Sequence, residues 1–88
     1  MKVPIHLPDL GTDRATFSLW YVRDGDYIVE GDRLAEVLIP GATVDLHAAA
    51  TGQLAERVAF PNDDLSPGQT LGWIESEERQ RSADQPDH

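Results

Sequence analysis

Cysteine is absent from this sequence, and lysine occurs once, at Lys2. Without cysteine the chain can form neither a disulfide nor a thiolate metal site, and it has no thiol nucleophile. Basic residues are scarce: 7 stand against 16 acidic residues, which gives a formal net charge of -9. Because an acidic surface repels phosphate groups and anionic lipid, we expect neither nucleic acid nor a membrane as a partner.

Long apolar runs are also missing, so the sequence contains no segment suited to crossing a bilayer. The first ten residues, MKVPIHLPDL, are too short and too interrupted by proline to resemble a secretory signal. We therefore expect a cytoplasmic protein. A chain of 88 residues suits one domain with a thin core, typical of a compact barrel or sandwich. We expect it to be a monomer.

The most informative stretch, residues 34–52, predicts two strands joined by a tight turn. Residues 34–39 and 42–47 are β-prone runs on either side of Pro40 and Gly41. Proline suits the second position of a type II turn, and glycine adopts the positive φ required at the third. We therefore predict a β-hairpin whose exposed tip runs from Ile39 to Ala42 and carries no reactive side chain.

Apolar alternation and turn residues predict strands through the rest of the chain. The predicted strands are residues 3–7, 15–22, 27–29, 34–39, 42–47, 52–60 and 70–75. In the strand at 52–60 we expect Leu54, Val58 and Phe60 to face the core. Residues 61–68 are predicted to be a loop with one apolar anchor, Leu65. We assign residues 1–76 to the domain and residues 77–88, which lack large apolar side chains, to a disordered acidic and polar tail.

An internal duplication relates the two halves of the sequence. Gly31 and Gly68 are 37 positions apart, and five further pairs share that offset. These are Phe17 with Leu54, Asp26 with Asp63, Ile28 with Leu65, Leu34 with Leu71 and Val37 with Ile74. One such unit cannot bury its apolar face alone. Two units related by a pseudo-twofold can close as an all-β flattened barrel, with the hairpin at one end and both chain termini at the other.

The sequence resembles the biotinyl/lipoyl-attachment domains of 2-oxoacid dehydrogenase and biotin carboxylase complexes over residues 3 to 75. The resemblance is carried by residues 8–11 (PDLG), 20–26 (WYVRDGD), 31–37 (GDRLAEV), 48–54 (AAATGQL) and 67–71 (PGQTL). It implies a flattened barrel of two four-stranded antiparallel sheets. In that family, a lysine at the hairpin tip carries the lipoyl or biotinyl group.

This chain departs from the family at the tip. An ungapped register on Leu34, Glu36, Ala42, Ala48 and Gly52 places Ile39, Pro40 and Gly41 where lipoyl domains have threonine, aspartate and the modified lysine. Glycine has no amine to acylate, so the resemblance predicts that no lipoyl or biotinyl cofactor is attached. The loop between Gly11 and Ala15 is also about two residues shorter than is usual in lipoyl domains, and Arg14 replaces a frequent glutamate.

Several functions remain open from the sequence. We favour a non-catalytic domain that binds a protein, such as a subunit of an acyl-transfer or carboxylase complex. The surface predicted for this contact consists of Leu10, Thr12, Arg14, Ile39 and Pro40. The alternatives are a degenerate remnant of a dihydrolipoamide acyltransferase and a lipoyl-like piece of a membrane-fusion or export adaptor. An enzyme or metal protein is the least favoured, because Ser18, Ser66, His6 and His47 lack the surroundings that such sites require.

Overall fold

The computed structural model describes residues 1–77, which form eight β-strands. The strands are β1 (Lys2–His6), β2 (Ala15–Trp20), β3 (Tyr27–Ile28), β4 (Arg33–Ile39), β5 (Ala42–His47), β6 (Gly52–Arg57), β7 (Asp64–Leu65) and β8 (Thr70–Ser76). They form two four-stranded antiparallel sheets, in the orders β1-β8-β6-β3 and β5-β4-β2-β7. The predicted fold class is confirmed. In the described part of the chain, no helix is long and apolar enough to span a membrane.

The duplication seen in the sequence is a pseudo-twofold of the structure. Strands β2, β3 and β4 recur 37 residues later as β6, β7 and β8, with the same lengths. Exchanging these strands, and β1 with β5, converts the strand order of one sheet into that of the other. The turns obey the same relation, since Tyr21 N–H donates to Leu34 O at 2.8 Å and Val58 N–H donates to Leu71 O at 2.9 Å.

The core lies between the two sheets and is built from inward-facing residues of both repeats. Its largest fully buried side chains include Phe17 and its repeat mate Leu54, together with Leu34 and Leu71. Transfer of such side chains from water stabilises the fold by about 1.5–3 kcal/mol each. The constant 37-residue offset therefore places equivalent apolar side chains on both sides of one core, as the sequence predicted.

Several details of the predicted strands and core are wrong. The strands predicted at residues 15–22 and 52–60 end at Trp20 and Arg57. Residues 61–68 are not wholly loop, because Asp64 and Leu65 form the short strand β7, which pairs with β2. The sequence assigned Val58 and Phe60 to the core, but they are 41% and 52% exposed, whereas Ala59 is 1% exposed. The physical reason is a register shift between Leu54 and Glu56 in the pairing of β6 with β8. A bulge inverts the alternation of side chains beyond it.

The hairpin tip and the ends of the described chain lie at opposite ends of the molecule, as predicted. Ile39 and Pro40 line one groove together with Ser66, four residues before β8 begins. Strand β8 then runs away from the tip and ends beside the N-terminus, where Ser76 N–H donates to Met1 O at 2.8 Å. Lys2 is therefore remote from the tip, on the strand that pairs with this far end of β8.

Candidate docking surface at the hairpin tip

The tip is a two-residue turn between β4 and β5. Ile39 and Ala42 form the last cross-strand pair, and Pro40 and Gly41 make the turn between them. Gly41 has a φ of 78°, the positive value that the third position of the predicted type II turn requires. A Cβ added to Gly41 would meet no atom within 4 Å, so this position is open to solvent. The tip therefore presents backbone and a proline ring but no ionisable or nucleophilic group.

A groove of about 590 Å³ lies beside the tip. It brings together three residues of the predicted partner surface, Arg14, Ile39 and Pro40. The sequence did not indicate the other lining residues, which are Asp13, Ala15, Thr16, Leu38, Asp64, Leu65 and Ser66. They come from the entrance to β2, from β4 and from β7, because Ala15 pairs with Leu65 and Thr16 pairs with Leu38.

Ile39 and Arg14 give this groove both apolar and charged character. Ile39 is half-buried and packs against the core, as expected for the end of a strand. Arg14 is exposed, and no ion pair within 4 Å involves its guanidinium among residues 1–77. The groove thus offers an apolar contact at Ile39 and the guanidinium of Arg14, with the carboxylates of Asp13 and Asp64 also in its lining.

Leu10 and Thr12 have different positions from the other predicted surface residues. Neither lines the groove. Leu10 is half-buried and packs against the core, which anchors the loop between β1 and β2. The Thr12 hydroxyl oxygen accepts a hydrogen bond from Arg14 N–H at 3.0 Å. These two residues shape the loop that holds Arg14, whereas Arg14, Ile39 and Pro40 form the accessible surface.

A polar cluster that the sequence did not indicate lies on the outer face of β4 and β5, beside the end of β2. The Tyr21 hydroxyl lies 3.3 Å from Glu36 Oε1 and 3.2 Å from Asp45 Oδ1. The guanidinium of Arg33 packs over the Tyr21 ring, 4.7 Å from its centroid, and donates to Asp45 Oδ2 at 3.4 Å. The pKa of Tyr21 is raised above the usual 10.0. The largest cause is desolvation, followed by the hydrogen bond and charge of Asp45 and a further contribution from Glu36. These residues are far apart in the sequence and come close together only because β2 pairs with β4 and β4 pairs with β5.

The residues considered for an enzyme or metal site lie in separate parts of the described surface, except that His6 and His47 line one groove with Asp45. Ser18 donates a hydrogen bond to Glu36 Oε2 at 3.0 Å, and Asp45 is bonded by Tyr21 and Arg33 instead of His47. His6 and His47 are both exposed. Within residues 1–77, no three histidine or carboxylate side chains are grouped closely enough to hold a metal ion.

Comparison with known proteins agrees with this fold. The sequence profile of the biotin/lipoyl family described as "Biotin-requiring enzyme" matches residues 3–74. The chain is also similar to the lipoamide acyltransferase component of the branched-chain alpha-keto acid dehydrogenase complex of Pseudomonas putida, with 31% identity. That similarity covers 93% of this chain.

This chain belongs to the biotinyl/lipoyl domain family. It is related to the acyltransferase components of 2-oxoacid dehydrogenases, although the match spans only 20% of the length of the Pseudomonas relative. The similarity therefore concerns one carrier-type domain, and the family assignment made from the sequence is confirmed.

Proposed function

We propose that this domain is a non-catalytic member of the family that carries neither lipoate nor biotin and acts by protein–protein contact. The observation behind this proposal is the composition of the tip, where Pro40 and Gly41 make the turn. Covalent attachment of either cofactor needs a lysine amine projecting from the tip. The one lysine of the chain, Lys2, lies on β1 at the opposite end of the barrel.

The tip groove is the surface through which the proposed contact occurs. It combines the apolar Ile39 and Pro40 with the guanidinium of Arg14, which forms no ion pair with the other residues of 1–77. Interfaces concentrate their binding energy in a few such apolar and arginine contacts. The relationship to the Pseudomonas acyltransferase component suggests a subunit of a 2-oxoacid dehydrogenase complex as the partner. We propose that the domain works in the cytoplasm as a monomer.

The first half of the proposal is tested by incubating the purified domain with lipoate, ATP and a lipoyl-protein ligase, and then measuring its intact mass. We expect no mass gain under conditions that fully modify a lysine-bearing lipoyl domain. The double variant Pro40→Asp/Gly41→Lys places an amine at the tip and should gain one lipoyl group. Modification of the native chain would overturn the proposal, and failure of the double variant would count against Gly41 as the equivalent of the lysine.

The second half is tested with a tagged domain and the lysate of its own cells, read by mass spectrometry. We expect subunits of one acyl-transfer or carboxylase complex to be captured by the native domain and lost with Ile39→Asp. Val58→Asp controls for the added surface charge, because Val58 is an exposed apolar residue that does not line the groove. Because Ile39 is half-buried, urea unfolding of Ile39→Asp must show that this variant is folded. Capture that is equal for all three proteins, or absent for the native domain, would contradict a docking role and favour the degenerate remnant.

A further inference from the structure

We propose that the free edge of β5 binds an extended segment of another protein that carries an apolar–basic–apolar triplet, as an added antiparallel strand. This surface is separate from the tip groove and does not depend on the function proposed for it. It consists of the outward backbone groups of Thr43, Asp45 and His47, and of the groove between β5 and β1. We refer to it as the β5 edge.

Within residues 1–77, the backbone of β5 is hydrogen-bonded on one side only. The two-residue turn makes Ile39 and Ala42 the first bonded pair, so bonds to β4 recur at Val44 and Leu46. The alternation continues to Ala48, whose N–H donates to Asp32 O at 2.8 Å. Thr43, Asp45 and His47 consequently direct their N–H and C=O groups away from β4. In residues 1–77, no backbone hydrogen bond outside the β4–β5 ladder involves these three.

The other three edge strands are less suited to accept a strand. Strands β3 and β7 have two residues each. On β1, the backbone groups of odd-numbered residues point toward β8. Met1 O accepts from Ser76 N–H, and Leu7 N–H donates to Gln69 O just before β8. Pro4 therefore stands in the outward row, where it offers no N–H. Strand β5 has six residues and contains neither lysine nor proline, the residues with which proteins usually protect an edge.

The groove beside the β5 edge has a volume of about 420 Å³ and an apolar floor. Its lining residues include Val3, Ile5, Val44, Leu46 and Ile74. An added strand points alternate side chains to the same face as Val44 and Leu46. Residues of the ligand opposite these two positions would lie over the apolar floor, so they should be apolar, preferably β-branched.

The residue between them must suit the opposite face. The Asp45 side chain lies on the outer face of the sheet, close to Glu36 through their shared contact with the Tyr21 hydroxyl. Arg33 pairs with Asp45 at 3.4 Å, so the two carboxylates and this guanidinium leave one net negative charge there. A ligand residue directly opposite Asp45 would place its Cβ about 4.5–5.5 Å away, where opposite charges attract and like charges repel. Lysine or arginine is therefore favoured. Pairing of two copies of this chain centred on Asp45 would instead oppose two carboxylates.

The test uses two capped synthetic peptides, Gly-Thr-Val-Lys-Val-Thr-Gly and its counterpart with glutamate in place of lysine. Each is titrated into the isotope-labelled domain and followed by amide NMR. We expect saturable shifts concentrated at the Thr43, Asp45 and His47 amides, with about threefold tighter binding of the lysine peptide, the size of one cross-strand charge pair. In Asp45→Lys, the preference should reverse toward the glutamate peptide.

Backbone pairing is tested from both sides of the interface. Thr43→Pro removes one outward N–H and should lose binding, whereas Thr43→Ala should keep it. Strand β1 already holds Pro4 in its outward row while pairing with β8, so the fold accepts such a substitution. A lysine peptide with both threonines replaced by proline makes the same test without altering the domain. The threonines lie opposite Thr43 and His47 and direct their N–H groups to β5, so this peptide should not bind.

Three results would overturn the proposal. The first is the absence of saturable shifts with the lysine peptide at the highest concentration that stays soluble. The second is binding of the proline peptide as tight as that of the unsubstituted lysine peptide. The third is concentration-dependent dimerisation in sedimentation experiments through the same amides, which would assign the β5 edge to a second copy of this chain.

Discussion

The indole N–H of Trp20 donates a hydrogen bond to the backbone carbonyl of Ala59 at 2.7 Å. This bond connects the end of β2 to the segment that follows β6, and so links the two sheets. The Trp20 ring also packs on Phe17, with 5.1 Å between the ring centroids. Trp20 thus has a structural role, because it joins the two sheets and packs against the core.

Replacing Trp20 should therefore lower the free energy of unfolding through loss of its hydrogen bond to Ala59. Trp20→Phe keeps an aromatic ring but leaves the carbonyl of the buried Ala59 without its donor, which we expect to lower the free energy of unfolding by about 1–3 kcal/mol. Urea denaturation measures the loss. Trp73→Phe is the matched control, because Trp73 is also half-buried and no indole hydrogen bond is seen for it in residues 1–77. Equal losses for both variants would contradict the role given to the bond.

Gly52 is required by the close approach of β6 to β8. A Cβ added to Gly52 would overlap the backbone carbonyl oxygen of Glu75, which cannot move without breaking the sheet. We expect Gly52→Ala to destabilise the domain by about 3 kcal/mol or more. Gly41→Ala is the control for backbone strain alone, because Gly41 has a positive φ but open space around it. We expect this variant to lose about 1–2 kcal/mol of stability. Thermal or urea unfolding of both variants decides whether the clash dominates.

The pseudo-twofold predicts equal roles for Asp26 and Asp63. Asp26 Oδ2 accepts a bond from Arg23 N–H at 2.8 Å, and Asp63 Oδ2 accepts one from Phe60 N–H at 2.9 Å. Substitution of either aspartate by alanine should cost about 1 kcal/mol, and the double variant should show the sum of both losses. Asn variants keep an acceptor and should lose less. Clearly unequal costs would show that the two turns contribute differently despite their shared geometry.

Tyr21 should make the domain less stable as the pH rises in the alkaline range. Because the folded pKa of Tyr21 is raised above 10.0, the unfolded chain releases the phenol proton first. The stabilisation that Tyr21 contributes is fully present below the pKa of this phenol in the unfolded chain. It is lost as the pH rises through the pKa of the phenol in the folded protein. In a Tyr27→Phe background, where Tyr21 is the sole tyrosine, ultraviolet absorbance should show ionisation above pH 10.0.

The unfolding free energy gives an independent check of the same pKa shift. We expect it to decline above pH 10.0 in the native protein and to decline less in Tyr21→Phe. Asp45→Asn should bring the Tyr21 titration back toward its usual value, because Asp45 supplies both a hydrogen bond and a charge. An Asp45→Asn protein with an unchanged tyrosine titration would rule out this carboxylate as a cause.

The sequence by itself determined the family, the fold class and most of the strands. Pro40 and Gly41 defined the turn through their own backbone preferences, and the 37-residue offset specified two copies of one unit. These features are local, because they depend on the φ values allowed to single residues and on apolar alternation within one strand. The absence of a lysine at the tip also follows directly from the sequence.

Only the tertiary structure decided which side chains meet. The bulge in β6 exposed Val58 and Phe60, and the pairing of β2, β4 and β5 assembled Tyr21, Glu36 and Asp45. The sequence could not show these results, because neighbours across a sheet come from distant positions and a shift of one residue changes the face of every side chain beyond it. The groove at the tip and the free β5 edge arise from the same long-range pairing.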